Sequence, residues 1–475
     1  MLSMDRTSAK SEARFDAYLE ELIQVFGHAD RAEPMRDYCT GLLLPIERKS
    51  VEPMAAATEP GRVSAKHQSL LHFVGKAPWS DEAVLAKVLE LALPAIKRSG
   101  PIRAWIIDDT GVPKKGRHSV GVARQYCGQL GKQDNCQVAV TLSIANDAAS
   151  LPIAHRLYLP EAWANDAERR AKAGVPDDIE FKTKPEIALD QIKAAHAAGT
   201  PTGVVLADAG YGFATYLRNE VSALGLSYVM GVQGSQIRLW RAEEEALAPQ
   251  PKTSKAKASK TKATAKKPIS AKDLAMSLPA RAWRRVTWRE GTNAPLKSRF
   301  AAVRVRSAHQ HSRIKGETPV EWLLIEWPKG EKEPTKYWLS TLPETIALRA
   351  LVDIAKLRWR IERDYQELKQ EIGLGHYEGR SWRGFHHHAT LCIASYGFLI
   401  SEREAIPPSG SRIARRRKVL GLPKDYRPRG SPDPNRATHP KLHRNRATTP
   451  LNRPRTTAAA LPVLRQNENL AEQAV

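Results

Sequence analysis

Three acids stand where they could hold metal and phosphate. Asp108 closes the apolar run IRAWIID (102–108), Asp208 closes TGVVLAD (202–208), and Glu362 lies in IAKLRWRIERDYQELKQEI (354–372). Two strand-end aspartates and a helix glutamate are the minimum set for two hard divalent cations, which take oxygen ligands and keep part of their water. A pair of such ions can clamp both oxygens of an in-line phosphodiester displacement. One lowers the pKa of the attacking water or 3′-hydroxyl, and the other takes up charge on the leaving oxygen. Each acid also has an ordinary reading. Asp208 could simply form the turn before Gly210, and Glu362 could belong to a solvated salt-bridge row with Arg358 and Lys369, spaced four and seven apart. Asp108 and Asp109 are strand neighbours, so only one of them faces a given side. Either could be the ligand, the other being a turn or supporting acid.

The elements that must position these acids are legible in outline. Ile354, Leu357, Ile361, Tyr365, Leu368 and Ile372 recur at helical spacing, which predicts one amphipathic helix over 354–372 with a core-facing stripe. Open α/β sheets place their sites at the carboxyl ends of strands, where Asp108 and Asp208 are expected. Strands at 136–145 and 152–158 read as a hairpin extending from the first. A helix at 185–198, the strand at 202–208, a helix at 213–224 and a strand at 227–233 come next. That order predicts an α/β fold with a mixed sheet.

Upstream, Phe15, Tyr18, Leu19, Leu22 and Phe26 form a helical stripe. Ser80, followed by Asp81 and Glu82, reads as the N-cap of another helix. Residues 1–100 are therefore a helical bundle that could bind DNA or pack on the downstream domain. After the α/β part, 251–272 holds eight lysines and no acid, a composition that predicts disorder along a phosphate backbone. WRRVTW, RFAAVRV, VEWLLIEW and KYWL, between 283 and 339, predict a β-rich insertion whose tryptophans fill the strand core. A further helix spans roughly 383–403. Residues 406–460 carry 14 Lys/Arg against two acids and many prolines, which predicts a disordered basic tail.

The charge narrows the function classes. A net charge of +23 over 475 residues, with a pI near 9.9, points to a polyanionic partner, DNA before a membrane surface. No apolar run of about 18 residues and no signal-like N-terminus is present, so no membrane span is expected. Cys39, Cys127, Cys136 and Cys392 form no CxxC pair, which fits a reducing, cytoplasmic location and argues against a zinc finger. His386, His387 and His388 fan around a helix by roughly 100° each, which predicts polar packing or phosphate contact and not a metal site.

Three segments together resemble a known family. WIIDDTGVPKKGRHSVGVARQYCGQLGKQDNCQVAV (105–140), VLADAGYG (205–212) and RWRIERDYQELKQEIGLGHYEGRSWRGFHHH (358–388) are similar to DDE transposases of the insertion-sequence IS4 superfamily, most of all its IS701-like branch. The superfamily signature is Tyr, two residues, Arg, three residues, Glu, six residues, Lys. Arg358, Glu362 and Lys369 keep that spacing. Ala355 stands at the tyrosine position, and Tyr365 is too far along the helix to be a simple replacement.

The resemblance covers roughly residues 10–405 and implies an RNase H-like core interrupted by the β insertion. It divides the chain into 1–100 (helical), 101–235 (core, first part), 236–343 (insertion, with the lysine-rich segment at 250–272), 344–405 (glutamate helix and its follower) and 406–475 (tail). It implies metal-dependent DNA cleavage and strand transfer, with Asp108, Asp208 and Glu362 as catalytic metal ligands for two Mg²⁺ ions, or Mn²⁺ in their place. Arg358 and Lys369 would contact phosphate, and Lys114, Lys115 and Arg124 are further DNA-contact candidates. Terminal inverted repeats and target DNA would be the partners, bound by a homodimer. A non-catalytic, domesticated DNA-binding relative and an RNase H-like nuclease of other purpose are the competing readings.

Overall fold

The computed structural model describes residues 2–242, 267–289, 295–308 and 319–405. The tail expected after 406, and most of the lysine-rich segment, lie outside the described residues. Five helices come first: α1 (Leu2–Ile23), α2 (Ala32–Leu43), α3 (Val51–Thr58), α4 (Val63–Gly75) and α5 (Asp81–Arg98). Tyr18, Leu19, Leu22 and Phe26 are buried, as their spacing predicts. Ser80 caps α5, its Oγ accepting the Ala83 N–H at 3.1 Å.

Of the strands β1 (Ala104–Pro113), β2 (Ala123–Cys127), β3 (Lys132–Ala145) and β4 (Ser150–Leu157), β3 pairs antiparallel with each of the other three. Helices α6 (Glu161–Ala164), α7 (Ala167–Ala173) and α8 (Lys184–Ala197) lead to β5 (Val204–Ala207). Then α9 (Ala209–Gly212) and α10 (Thr215–Ala223) lead to β6 (Tyr228–Val232). The core runs in the order β4-β3-β1-β5-β6. Here β1, β5 and β6 are parallel and β3 is antiparallel to both its neighbours. This is the RNase H-like mixed α/β arrangement that the sequence implied.

The remaining strands continue the same sheet. They are β7 (Arg238–Arg241), β8 (Ile269–Ser270), β9 (Arg284–Arg289), β10 (Leu296–Ser307), β11 (Val320–Trp327) and β12 (Lys336–Ser340), with the short helix α11 (Ala271–Met276) after β8. Antiparallel pairing of β12 to β6 makes one twelve-stranded sheet. Helices α12 (Leu348–Lys356) and α13 (Trp359–Gln370) cover one face, against Ala104, Ile106, Leu206 and Val229. Trp105, Ile107 and Val205 point the other way, into the larger core that also takes in α5, α8 and α14 (Trp382–Ala405).

Three sequence expectations are corrected. The helix expected over 354–372 is two helices, broken at Leu357–Arg358. There the hydrogen bonds tighten to Leu357 N–H on Ile354 O and Ile361 N–H on Arg358 O. The stripe survives the break, since Ile354, Leu357, Ile361, Tyr365, Leu368 and Ile372 are all buried; periodicity reports burial and not the continuity of the hydrogen-bond ladder. β1 does not stop at Asp108 but continues to Pro113, paired to β3 throughout. Finally, the last residues of the lysine-rich stretch are folded. Ile269 and Ser270 pair with β7, and Ser270 Oγ caps α11 by accepting the Asp273 N–H at 3.0 Å.

The helix carrying Glu362 is anchored by its opposite side. Asp364, buried, accepts from Ser150 Oγ of β4 at 2.7 Å and from Tyr396 Oη of α14 at 2.9 Å. Arg360 donates to the Ala148 carbonyl at 2.8 Å. Two of the three histidines bind the N-terminal helices to the core, while His386 accepts the Leu157 N–H of β4 at 3.2 Å. His387 meets the Val74 and Trp79 carbonyls, while His388 takes the Tyr38 hydroxyl at 2.8 Å and the Gly373 carbonyl at 3.1 Å.

Burial pushes the Asp364 carboxyl up to about 6 from 3.8, against the pull of its two hydroxyl donors. The folded chain therefore holds an extra proton between those values, and stability falls as pH rises through that window, by about 3 kcal/mol from this group. Asp364→Asn removes that slope. Urea midpoints taken at pH 4.5 and 7.5 are expected to fall further in the parent than in the variant; equal slopes would contradict this account.

Candidate active site

The register of β1 on β5 builds the site. Ala104 faces Val204, Trp105 faces Val205 and Ile106 faces Leu206. β5 then ends at Ala207, so the next residues of the same parity, Asp108 and Asp208, project side by side from the face that α12 and α13 cover. Asp109 has the opposite parity. Its carboxylate pairs with Lys184 Nζ of α8 at 2.5 Å. Alternation thus separates the two neighbouring acids as expected.

Asp208 is held by a tight local fold. Its Oδ1 accepts the Gly210 N–H at 2.8 Å, which caps α9. α9 lies directly against β6: a Cβ on Gly212 would come within 1.9 Å of the Gly231 carbonyl oxygen. Glycine is required there because backbone meets backbone.

Glu362 enters through Arg358. The Arg358 guanidinium pairs with Asp108 Oδ2 and lies 3.6 Å from Glu362 Oε1. Burial opposes its charge, but Asp108, Asp208 and Glu362 together outweigh burial and raise its pKa. One guanidinium therefore pairs with Asp108, approaches Glu362 and lies in the field of Asp208. Among the described residues, no three His, Cys, Asp or Glu side chains converge as a bound metal would require. Burial pushes the Asp108 carboxyl up to about 7; Arg358 pulls it down, while Asp208 and Asp109 push it further up. Glu362 is the open corner, with 67% of its side chain exposed.

The donor set nevertheless suits a divalent cation. Its ligands are hard oxygens, and two of them, Asp108 and Asp208, are like charges side by side that a cation would stabilise. The Tyr211 hydroxyl is buried without a hydrogen-bond partner, in the field of Asp109, Asp108 and Asp208. A buried orphan hydroxyl next to carboxylates fits a water carried on a metal ion. The guanidinium is what would have to move.

The expected DNA contacts divide into two groups. Lys369 Nζ donates to the Gly111 carbonyl of β1 at 2.8 Å, and Lys114 Nζ donates to the Tyr377 carbonyl at 2.6 Å. Burial lowers the pKa of both, that of Lys114 to about 8. Lys115 and Arg124 are exposed beyond the site. The structure also brings in residues that sequence reading passed over. Lys184 and Tyr211 reach the acids from the other face, and no spacing rule connects them to Asp108. Tyr365, from α13, donates to or accepts from Thr141 of β3 at 2.6 Å, beside Asp108. Ala355, where the family has tyrosine, is buried under the sheet.

Residues 21–295 match the family model described as DDE superfamily endonuclease, a span that contains Asp108 and Asp208 and ends before Glu362. The chain is also similar to the probable transposase for insertion sequence element IS701 of Microchaete diplosiphon, 31% identical over 233 residues. That alignment covers 48% of this chain and 56% of the relative, so the chain spans a little over half the length of the curated protein it matches.

The Tyr365–Thr141 pair is a stability test of how the glutamate helix docks on the catalytic strands. Removing either hydroxyl leaves the other buried and unpaired, a loss of about 1–3 kcal/mol. Tyr365→Phe and Thr141→Val are each expected to lower the unfolding midpoint, and the double variant to lower it by less than the sum. Strict additivity in chemical denaturation would sink the pairing.

Proposed function

This chain belongs to the DDE superfamily endonucleases, and from that premise we propose that it is a transposase of the IS701 kind, cutting DNA at its element's ends and joining them to a target. The observation that carries the reading is the β1–β5 register, which brings Asp108 and Asp208 to the same face just past the paired residues, with Glu362 of α13 sharing the Arg358 guanidinium. DDE superfamily nucleases use divalent metals. In this chain Asp108, Asp208 and Glu362 would hold them, Mg²⁺ by preference, two per site, with Mn²⁺ able to substitute. Bound there, the ions supply an activated oxygen nucleophile and charge relief on the leaving oxygen.

The chain's own residues do the rest. β1 and β5 fix two of the carboxylates on rigid strands, and Glu362 closes the site from an exposed corner that DNA can reach. Lys184 pairs with Asp109 and holds it on the opposite face of the sheet from Asp108. Lys369 ties α13 to β1 and keeps a positive charge behind the scissile phosphate. Lys115 and Arg124 contact the DNA backbone outside the site, and Arg358 takes a phosphate next to it. The reaction is phosphodiester hydrolysis that frees a 3′-hydroxyl, followed by attack of that hydroxyl on target DNA. The N-terminal helices would read the terminal repeats, and two copies would act together on paired ends, in the cytoplasm. Among the described residues no helix is long and apolar enough to cross a membrane.

Asp108→Asn, Asp208→Asn and Glu362→Gln are each expected to lower end cleavage by about a thousandfold or more, the scale of several kcal/mol of lost charge stabilisation. Binding of a terminal-repeat duplex should persist, read by gel shift beside cleavage mapped at nucleotide resolution. Unchanged cleavage in all three variants would overturn the enzymatic reading. Cleavage of any duplex without joining to target would favour a nuclease of other purpose.

A further inference from the structure

We propose that Arg358 is a built-in stand-in cation: it closes the carboxylate site while DNA is absent, and a DNA phosphate opens the site to metal by drawing the guanidinium away. This rests on the reading of Asp108, Asp208 and Glu362 as metal ligands, and it adds a coupling between substrate and cofactor that the reading does not contain.

Four observations carry it. First, Arg358 is the shared partner of the proposed ligands: it pairs with Asp108, approaches Glu362 at 3.6 Å and lies in the field of Asp208. A divalent ion at the same place would meet the guanidinium's charge at close range in a partly desolvated site, so both cannot sit there together. Second, the neighbouring cations are tethered elsewhere: Lys369 to the Gly111 carbonyl, Lys114 to the Tyr377 carbonyl and Lys184 to Asp109. The stand-in role therefore falls on Arg358. Third, Arg358 stands at the break between α12 and α13, where tight turns replace the regular helical ladder, and its side chain remains 27% exposed. It can swing outward without unwinding a helix. Fourth, the Tyr211 hydroxyl, in the field of the same acids from the other face, is buried with no hydrogen-bond partner among the described residues.

The energetics give the swing a direction. Pulling a guanidinium off a buried carboxylate leaves an unpaired charge, which is strongly unfavourable unless something replaces each partner. A phosphate gives the guanidinium a bidentate acceptor, and a divalent ion gives the carboxylates a cation. Either alone meets an uncompensated charge; together they satisfy both sides. DNA and metal should therefore bind cooperatively, each tightening the other by the same factor. Arg358 is a positioning residue here. It keeps the hydrolytic site unloaded until a phosphodiester is in place.

The test uses the full chain without DNA. Mn²⁺ is titrated calorimetrically into the parent, Arg358→Gln and Arg358→Lys, and into Arg358→Gln combined with Asp108→Asn or Asp208→Asn. Arg358→Gln is expected to bind Mn²⁺ about tenfold tighter than the parent, within the usual range of site coupling. Arg358→Lys, which cannot span the acids, should fall between them and decides the matter if the glutamine variant does not fold. Adding a terminal-repeat duplex should tighten Mn²⁺ binding in the parent and much less in Arg358→Gln. Thermal melts give an independent reading: Mg²⁺ should raise the melting temperature of Arg358→Gln more than that of the parent. A merely structural arginine would lower the melting temperature of its variant with no gain in Mn²⁺ affinity, and that result overturns the proposal. If the added aspartate substitutions leave Mn²⁺ binding intact, the ligand assignment itself fails. If they abolish binding while Arg358→Gln gains nothing, the ligands stand and the stand-in role falls.

Discussion

Parallel pairing of β1 with β5 sets up the electrostatic problem that the rest of the structure answers. The pairing runs in register through Ile106 and Leu206 and then stops, so Asp108 and Asp208 project from the same face as neighbours. Asp108, largely removed from water and beside a second carboxylate, resists ionisation. The raised pKa of Asp108 is the direct sign of that strain, with burial as its largest cause. A cation has to be supplied. In this chain it comes from Arg358 at the helix break between α12 and α13.

Supplying it requires that α13 be held accurately, and the helix is fastened on several sides. Lys369 reaches β1, Tyr365 reaches β3, Asp364 reaches β4 and α14, and Arg360 reaches the turn before β4. Each bond is formed by a polar group that burial would otherwise penalise, so loosening one exposes the need of its partner. Glu362 is the exception, exposed at the outer turn. The anchored side of the helix gives position, and the free side leaves room for a substrate.

The N-terminal helices belong to the same framework. α14 crosses behind the sheet and carries His386, His387 and His388, each turned to a different neighbour. Burial lowers the pKa of His387 and His388 to about 4, so they serve as neutral hydrogen-bonding wedges near neutral pH. Consecutive residues on a helix point in different directions, which is why the row of three joins different elements.

Much of this was legible in the order of residues. Strand alternation separates Asp108 from Asp109, the apolar stripe marks which side of α12 and α13 is buried, Ser80 announces α5, and the spacing of Arg358, Glu362 and Lys369 carries the family resemblance. These are local properties, governed by backbone periods of two and of about 3.6 residues that hold wherever the segment is placed. The chain order alone could not say which cation meets which acid. Arg358 and Lys369 share a side of the helix, yet one closes on Asp108 and the other on a β1 carbonyl. Lys184 finds Asp109 from 75 positions away. Nor could it say that the β insertion continues the sheet of Asp108 and Asp208 through β12 and β6. Ion pairing depends on which groups are desolvated together, and desolvation is a property of the assembled layers, not of any one segment.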